Sequence, residues 1–271
     1  LSGLRVLDPD GAVVVSVDGL TTENASLMSL AGGSLDVGEV RVTRPRVRVR
    51  QYEDGSTNLE RALVDPNASK EEGAAEPEPE PTEQAGEMRM PPGVRAKLVV
   101  EGGELIVEGP KLEPVTVKFA ANADVRGTEG ISADGSANIR QGEETGDVAF
   151  NLLVQEYADA DGLLHPERAR VELDAGVIDA PLVVVDRLLG ESPMIVPVLG
   201  PVLNVRLGAA GGLNSIESGL DVNSRQLKIA GGLTMEDGAL VAKPDTAVTF
   251  TLEPEGLRQV LESVAAVDAE T

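Results

Sequence analysis

The sequence predicts a mainly β chain of α+β type, a long antiparallel sheet accompanied by two or three short helices. Three observations carry this. Apolar and polar residues alternate with period two through most of the chain, which gives each strand one apolar and one polar face. Asp-Gly pairs at 10–11, 18–19, 54–55, 134–135, 161–162 and 237–238 fall mainly between those runs, as in an up-and-down meander. The period changes to that of a helix around 57–64, 181–189 and 255–267, with a further helical turn expected at Ile195–Leu199 before Gly200-Pro201.

Leu4–Leu7 and Ala12–Val17 flank Asp8-Pro9-Asp10-Gly11, a hairpin turn. Leu35 to Tyr52 reads as one or two strands, with Pro45 marking an edge, a bulge or a break. Within it, Arg46 to Arg50 is R-V-R-V-R, one arginine face and one valine face. Asp54-Gly55 closes the strand, and Thr57 with Glu60 has the spacing of a capping box for a helix Thr57–Val64. Composition then shifts abruptly. Residues 66–93 hold the run E-P-E-P-E-P and no large apolar residue until Met88, so they cannot bury enough surface to offset their ordering entropy. They read as a linker, more simply a tolerated insertion between strands than a spacer that binds a partner.

Beyond Gly93 the alternation returns. Leu98 and Val100, then Leu105 and Val107, read as a hairpin about Gly102-Gly103. Val115, Val117, Phe119, Ala121, Ala123 and Val125 form the longest clean apolar stripe, and Ile131 to Ile139 turns at Asp134-Gly135. Val148, Phe150, Leu152 and Val154 make the next strand, Asp161-Gly162 the next turn, and Ala169 to Val177 the strand after it. Pro181–Leu189 reads as a short helix, with a strand as its rival because of the β-branched Val183–Val185. Strands resume at Leu203–Ala209, Leu220–Val222, Leu227–Ile229, Leu233–Met235, Leu240–Val241 and Val248–Leu252. Glu255–Val267 is the best helix, with Leu257, Val260, Leu261 and Val264 on one face. The expected organisation is an N-terminal β unit with its helix over 1–65, an acidic linker over 66–93, and a C-terminal sheet over 94–271 with helices near 181–190 and 255–268.

One stretch resembles a known family. From Leu27 to Leu63 the chain reads L-x-S-L-x-x-G-S-L-D-V-G-E-V-R-V-T-R-P-R-V-R-V-R and then D-G-S-T-N-L-E-R-A-L. This is similar to the N-terminal repeat of AsmA-like proteins: an R-P-x-apolar step, an arginine-bearing strand, then D-G-x-x-N-apolar leading into a helix. The matching residues are Arg44, Pro45, Val47, Arg50, Asp54, Gly55, Asn58 and Leu59. The resemblance implies a long curved antiparallel sheet with an apolar concave face, in a periplasmic or cell-envelope protein concerned with lipid transport or outer-membrane homeostasis. The family's N-terminal membrane helix has no counterpart here, so the resemblance also implies a segment whose inner-membrane anchor lies elsewhere in a longer chain.

Composition narrows the function classes. With 46 acidic against 23 basic residues the net charge is −23, which argues against nucleic acid and against docking on an anionic leaflet by broad attraction. Aromatic residues make up only 2% of the chain, so Val, Leu, Ile and Ala must fill any interior. Cysteine is absent, which excludes disulfides and thiolate metal sites. The longest apolar runs, such as Pro181–Val185 and Met194–Leu199, are far too short to span a membrane as helices.

The chemistry-bearing residues are sparse. The single histidine, His165, follows a turn and reads as an exposed loop side chain rather than a base. Asp159-Ala160-Asp161-Gly162 begins like a calcium loop, but its glycine comes too early and Leu163 stands where a ligand should. No nucleophile elbow or phosphate-binding glycine loop is present. The expectation is therefore a non-enzymatic protein without a cofactor, in which an apolar sheet face shields or guides lipid acyl chains. Phospholipid or another lipid would be its partner. The candidate groove residues are Val115, Val117, Phe119, Ala121, Val125, Val148, Phe150, Leu152, Val171, Leu173, Val205 and Leu207. Arg44, Arg46, Arg48 and Arg50 are candidates for contact with a lipid headgroup or an acidic partner, against the plainer reading of a solvated strand face balanced by nearby acids. The rival function is a structural or protein-interaction module whose helices close the concave face.

Overall fold

The computed structural model describes residues 1–23, 35–54, 56–63, 89–90, 93–110, 112–182, 196, 199–212, 215–236, 239–251 and 258. They form one long, open, mixed sheet of 14 strands with little helix beside it. In chain order these are β1 (Ser2–Leu7), β2 (Val13–Glu23), β3 (Asp36–Arg50), β4 (Arg95–Gly109), β5 (Leu112–Arg126), β6 (Ile131–Gln141) and β7 (Glu144–Gln155). Then follow β8 (Arg170–Pro181), β9 (Val202–Gly212), β10 (Glu217–Ser224), β11 (Leu227–Gly231), β12 (Leu233–Glu236), β13 (Ala239–Ala242) and β14 (Ala247–Phe250). A short helix, α1 (Asn58–Leu63), follows β3.

Across the sheet the strands run in chain order from β1 to β11 and end on β14, while β12 pairs with β10 and β13. The expectation of an all-antiparallel meander needs one correction, because β3 and β4 are parallel. A parallel pair requires a long crossover, and residues 51–94, with α1 near their start, provide it. The sheet is continuous across the boundary expected between the N- and C-terminal units. The linker expected over 66–93 lies outside the described residues apart from Arg89, Met90 and Gly93, and the helices expected near 181–190 and 255–268 lie almost wholly outside them. Pro181 ends β8 rather than opening a helix, but the described residues Leu182, Val196, Leu199 and Arg258 are helical.

Four neighbouring strands carry one extra residue at the same level. Paired positions skip Gly3, Asp18, Arg44 and Gly102, which stand side by side across β1 to β4. Gly3, Arg44 and Gly102 have φ of 69°, 47° and 63°, the left-handed region that suits a bulge. Each strand changes parity there, for example from Val40 and Val42 to Val47 and Val49 in β3. The apolar residues nevertheless stay on one face, because all four strands shift together. Arg44 Nε pairs with Asp18 at 2.8 Å, which supports a non-glycine residue in a conformation costing about 1–2 kcal/mol.

Two expected turns are corrected by the same reasoning. Gly102-Gly103 lies inside the continuous β4, and Asp134-Gly135 inside the continuous β6. A Cβ at Gly103 would sit 2.5 Å from the Phe119 ring, and one at Gly135 would sit 2.6 Å from Phe150. These glycines make room for rings lying over the neighbouring strand. The turn at Asp8–Gly11 does form, closed by Asp8 N–H to Ala12 O at 2.9 Å.

The D-G-S-T-N-L segment finishes β3. Asp54 Oδ1 accepts from Ser56 N–H at 3.0 Å. Thr57 and Glu60 make the expected capping box, at 2.7 and 3.1 Å. The Arg61 guanidinium lies 3.7 Å above the Tyr52 ring centroid. Asn58, only 3% exposed, does the joining. Its Oδ1 accepts from Arg50 N–H at 2.7 Å and its Nδ2 donates to Arg48 O at 2.9 Å. The last β2–β3 pair is Val15 with Val47; beyond it the strands part, and the Asn58 carboxamide stands in for the missing strand. Asn58→Ala leaves two part-buried backbone groups without their side-chain partner and should lower unfolding stability by about 1–2 kcal/mol. Urea unfolding of the variant checks this, and an unchanged midpoint would show that water replaces the side chain.

Candidate functional site: two opposed sheet faces

Residues paired across a sheet project to the same side, so the register sorts the side chains into two faces. All twelve groove candidates fall on one face. Its central row runs Phe119, Ala137, Val148, Val177, Val205, Val222, Ile229 and Val248, apolar on every strand from β5 to β11 and on to β14. Seven interstrand steps make that row about 34 Å long. A second row runs Ala121, Gly135, Phe150, Ala175, Leu207 and Leu220, and a third joins Ala133, Leu152, Leu173 and Ala209.

The middle of this face is half-buried, and Phe150 is 36% exposed. Among the described residues, β5 to β9 have substantial contacts only with one another and with their sheet neighbours. The ends differ. Val107, Val115 and Gln141 are buried at one end, with Val115 at 0% exposure, so Val115 belongs to closed packing and Val117 is the first candidate that meets open surface.

The four arginine candidates stand elsewhere. Arg46, Arg48 and Arg50 project from the opposite face, in line with Ser16, Glu104, Ile106 and Lys118, and Arg44 occupies the bulge. Arg46 Nε lies 3.3 Å from Glu104, while Arg48 and Arg50 share Glu108 at 3.9 and 3.5 Å. Arg41 is held more firmly, hydrogen-bonded to Glu39 and Glu101. Hydrogen bonds from Lys97 and Arg41 keep the Glu39 carboxyl below its ordinary value. Through the sheet, one lipid cannot lay its chains on the apolar face and its headgroup on Arg46, Arg48 or Arg50.

The polar face also holds a broad depression of about 920 Å³ over β6 to β11. Gly208 and Gly219 floor it, with nothing within 4 Å of where a Cβ would stand. Asp134, Glu172, Asp174 and Asp221 border it together with Arg206. Sequence reasoning did not foresee it, because its outline depends on which glycines become neighbours.

The loop between β7 and β8 is more than the turn that Asp161-Gly162 predicts. The Tyr157 hydroxyl donates to Gly127 O, Tyr157 is buried, and Met90 N–H donates to Gly162 O at 2.8 Å. The loop thus ties one end of the sheet to the chain entering β4. His165 is half-buried between Asp159 at 3.2 Å and Glu167 at 3.1 Å, a correction to its reading as an exposed side chain. Asp159 Oδ1 accepts from the Asp161 and Leu163 N–H groups at 3.0 and 2.9 Å, the work of a turn rather than of a calcium loop. Among the described residues no group of three His, Cys, Asp or Glu is placed to hold a metal ion, and no helix is long and apolar enough to cross a membrane.

No family model, curated protein or solved structure matches the chain.

The two faces and the β7–β8 loop each yield a prediction. Val47→Asp with Val49→Asp puts two charges on the apolar face and should unfold the N-terminal strands. Arg46, Arg48 and Arg50 all changed to Gln should leave the melting temperature within a few degrees; equal tolerance of both sets would mean a different register. The second concerns acid. Burial pushes the Asp159 carboxyl up, but hydrogen bonds from His165, Leu163 and Asp161 outweigh it and hold the group below the ordinary 3.8. A depressed folded-state value adds stability above 3.8 that is lost as pH falls through that lower value. Amide shifts of 157–165 should therefore titrate with a midpoint under 3.8, and a midpoint above it would contradict the turn geometry.

Proposed function

We propose that this chain is a non-enzymatic segment of an AsmA-like envelope protein that shields or guides lipid acyl chains along its apolar sheet face. The observation that carries the reading is the unbroken apolar row from Phe119 to Val248. At about 34 Å it exceeds the ~15 Å that one leaflet's chains occupy in a bilayer core, so it is a path rather than a single slot. Each methylene moved from water to such a surface contributes about 0.8 kcal/mol.

Two features support a face that curves inward. Ala121, Ala123, Ala133, Ala137, Ala175 and Ala209 on the apolar side are half-buried, whereas Ala120, Ala149, Ala210 and Ala230 on the other side are exposed. Cα atoms of β6 and β8 also approach within 8 Å across β7, although next-nearest strands of a flat sheet stand about 9.6 Å apart, so the sheet bends there. The rival reading, a module closed around its own core, draws on the burial of Val107, Val115 and Gln141 at one end.

Native mass spectrometry of the purified protein should show bound phospholipid. Phe119→Glu and Phe150→Glu should remove that lipid while costing no more than about 2 kcal/mol, because a carboxylate on an open face stays hydrated. Severe loss of stability in both variants, with no lipid ever found on the parent, would leave the closed module.

A further inference from the structure

We propose that Arg46, Arg48 and Arg50 form a binding pocket for a phosphate-bearing group on the polar face, separate from the apolar path. The pocket arises where β2 and β3 part. Past the Val15–Val47 pair the two strands separate, Asn58 bridges to the β3 backbone, and a cavity of about 330 Å³ opens between them. Ser16, Arg46, Arg48, Arg50, Asn58 and Ile106 line it. That volume lies within the range of small-ligand sites and exceeds what a bare phosphate needs, so an organic group attached to the phosphate fits beside Ile106.

Charge points the same way. The chain carries −23 overall, yet three arginines line this cavity against one lining carboxylate, Asp8. Asp8 is buried in the β1–β2 turn, where its Oδ1 accepts from Ala12 N–H at 2.8 Å. Glu104 and Glu108 approach from β4, but only at 3.3 to 3.9 Å, beyond the 2.7–2.9 Å of a charge-assisted hydrogen bond. Arg41, Arg61 and Arg126 each donate side-chain hydrogen bonds to carboxylates. Among the described residues, the side chains of Arg46, Arg48 and Arg50 donate none. Their planar forks retain donors in the geometry that oxyanions accept in pairs, and alternate positions on one strand set them about 7 Å apart around a single space.

The test uses the whole chain and glycerol 3-phosphate, followed by calorimetry and by amide shifts of Arg48, Arg50 and Asn58. Saturable binding is expected, tightening from pH 5.5 to 7.5 as the ester gains its second charge near a pKa of about 6. Arg48→Gln and Arg50→Gln should each weaken it at least tenfold, whereas Arg206→Gln, in the depression over β6 to β11, should not. Flotation with phosphatidylcholine vesicles, with and without phosphatidic acid, separates the sources. Binding only to the soluble ester assigns the pocket to a free metabolite, and capture by phosphatidic acid assigns it to a headgroup. Phe119→Glu should leave either result unchanged, so this pocket and the apolar path stand or fall apart. No saturable binding of either probe, or affinity retained when all three arginines are Gln in a protein that melts normally, would overturn the proposal.

Discussion

Everything in this sheet depends on keeping one parity across a dozen strands. Side chains alternate with period two, so a slip of one residue between neighbours would send a row of valines to the solvent side and arginines or aspartates to the apolar side. β5 keeps one parity from Val115 to Val125, but β1 to β4 each change parity part-way. The conflict is resolved by placing the four extra residues, Gly3, Asp18, Arg44 and Gly102, next to one another. A lone bulge in β3 would mispair it with both neighbours. A shared line of bulges lets the register continue, and the only marked shift at that level falls between β4 and the regular β5.

Much of this was legible in the residues, and the failures have a common cause. The alternating runs, the Asp8–Gly11 turn and the Thr57–Glu60 capping box are local signals, and each forms as expected. Gly102-Gly103 and Asp134-Gly135 misled because glycine serves a turn, a bulge and a close approach equally well. Parity separates these uses. Ile131, Ala133, Ala137 and Ile139 keep one parity straight through Gly135, which marks a strand with a gap under a neighbouring ring. Around Gly102 parity changes, as it does at Arg44, and coincident changes in successive strands mark a bulge line. The β3–β4 parallel pairing has no local signal, since nothing within either strand's alternation distinguishes a parallel from an antiparallel neighbour.

The arginine pocket was hidden for the same reason. R-V-R-V-R announces an arginine face, but not that β2 leaves β3 at Val47, nor that Asn58 fills the gap in the ladder. Those facts come from tertiary register. They also divide the two proposals physically, since the pleat that puts Val47 and Val49 on one face puts Arg46, Arg48 and Arg50 on the other.

The scarcity of aromatic residues bears on the apolar face itself. Phe119 and Phe150 lie over Gly103 and Gly135, where a ring fills the space that a glycine leaves instead of rising above its row. Their neighbours are Val, Ala and Leu. A surface of such similar side chains offers a methylene chain comparable contacts from one position to the next. Its attraction is spread evenly, by the area of apolar surface removed from water. For the proposed lipid path, this means low barriers between adjacent positions along the row and weak discrimination among acyl chains. Substituting Phe for Ala137 or Ala175 would raise a ridge across the row, and should slow passage of lipid without lowering the amount bound.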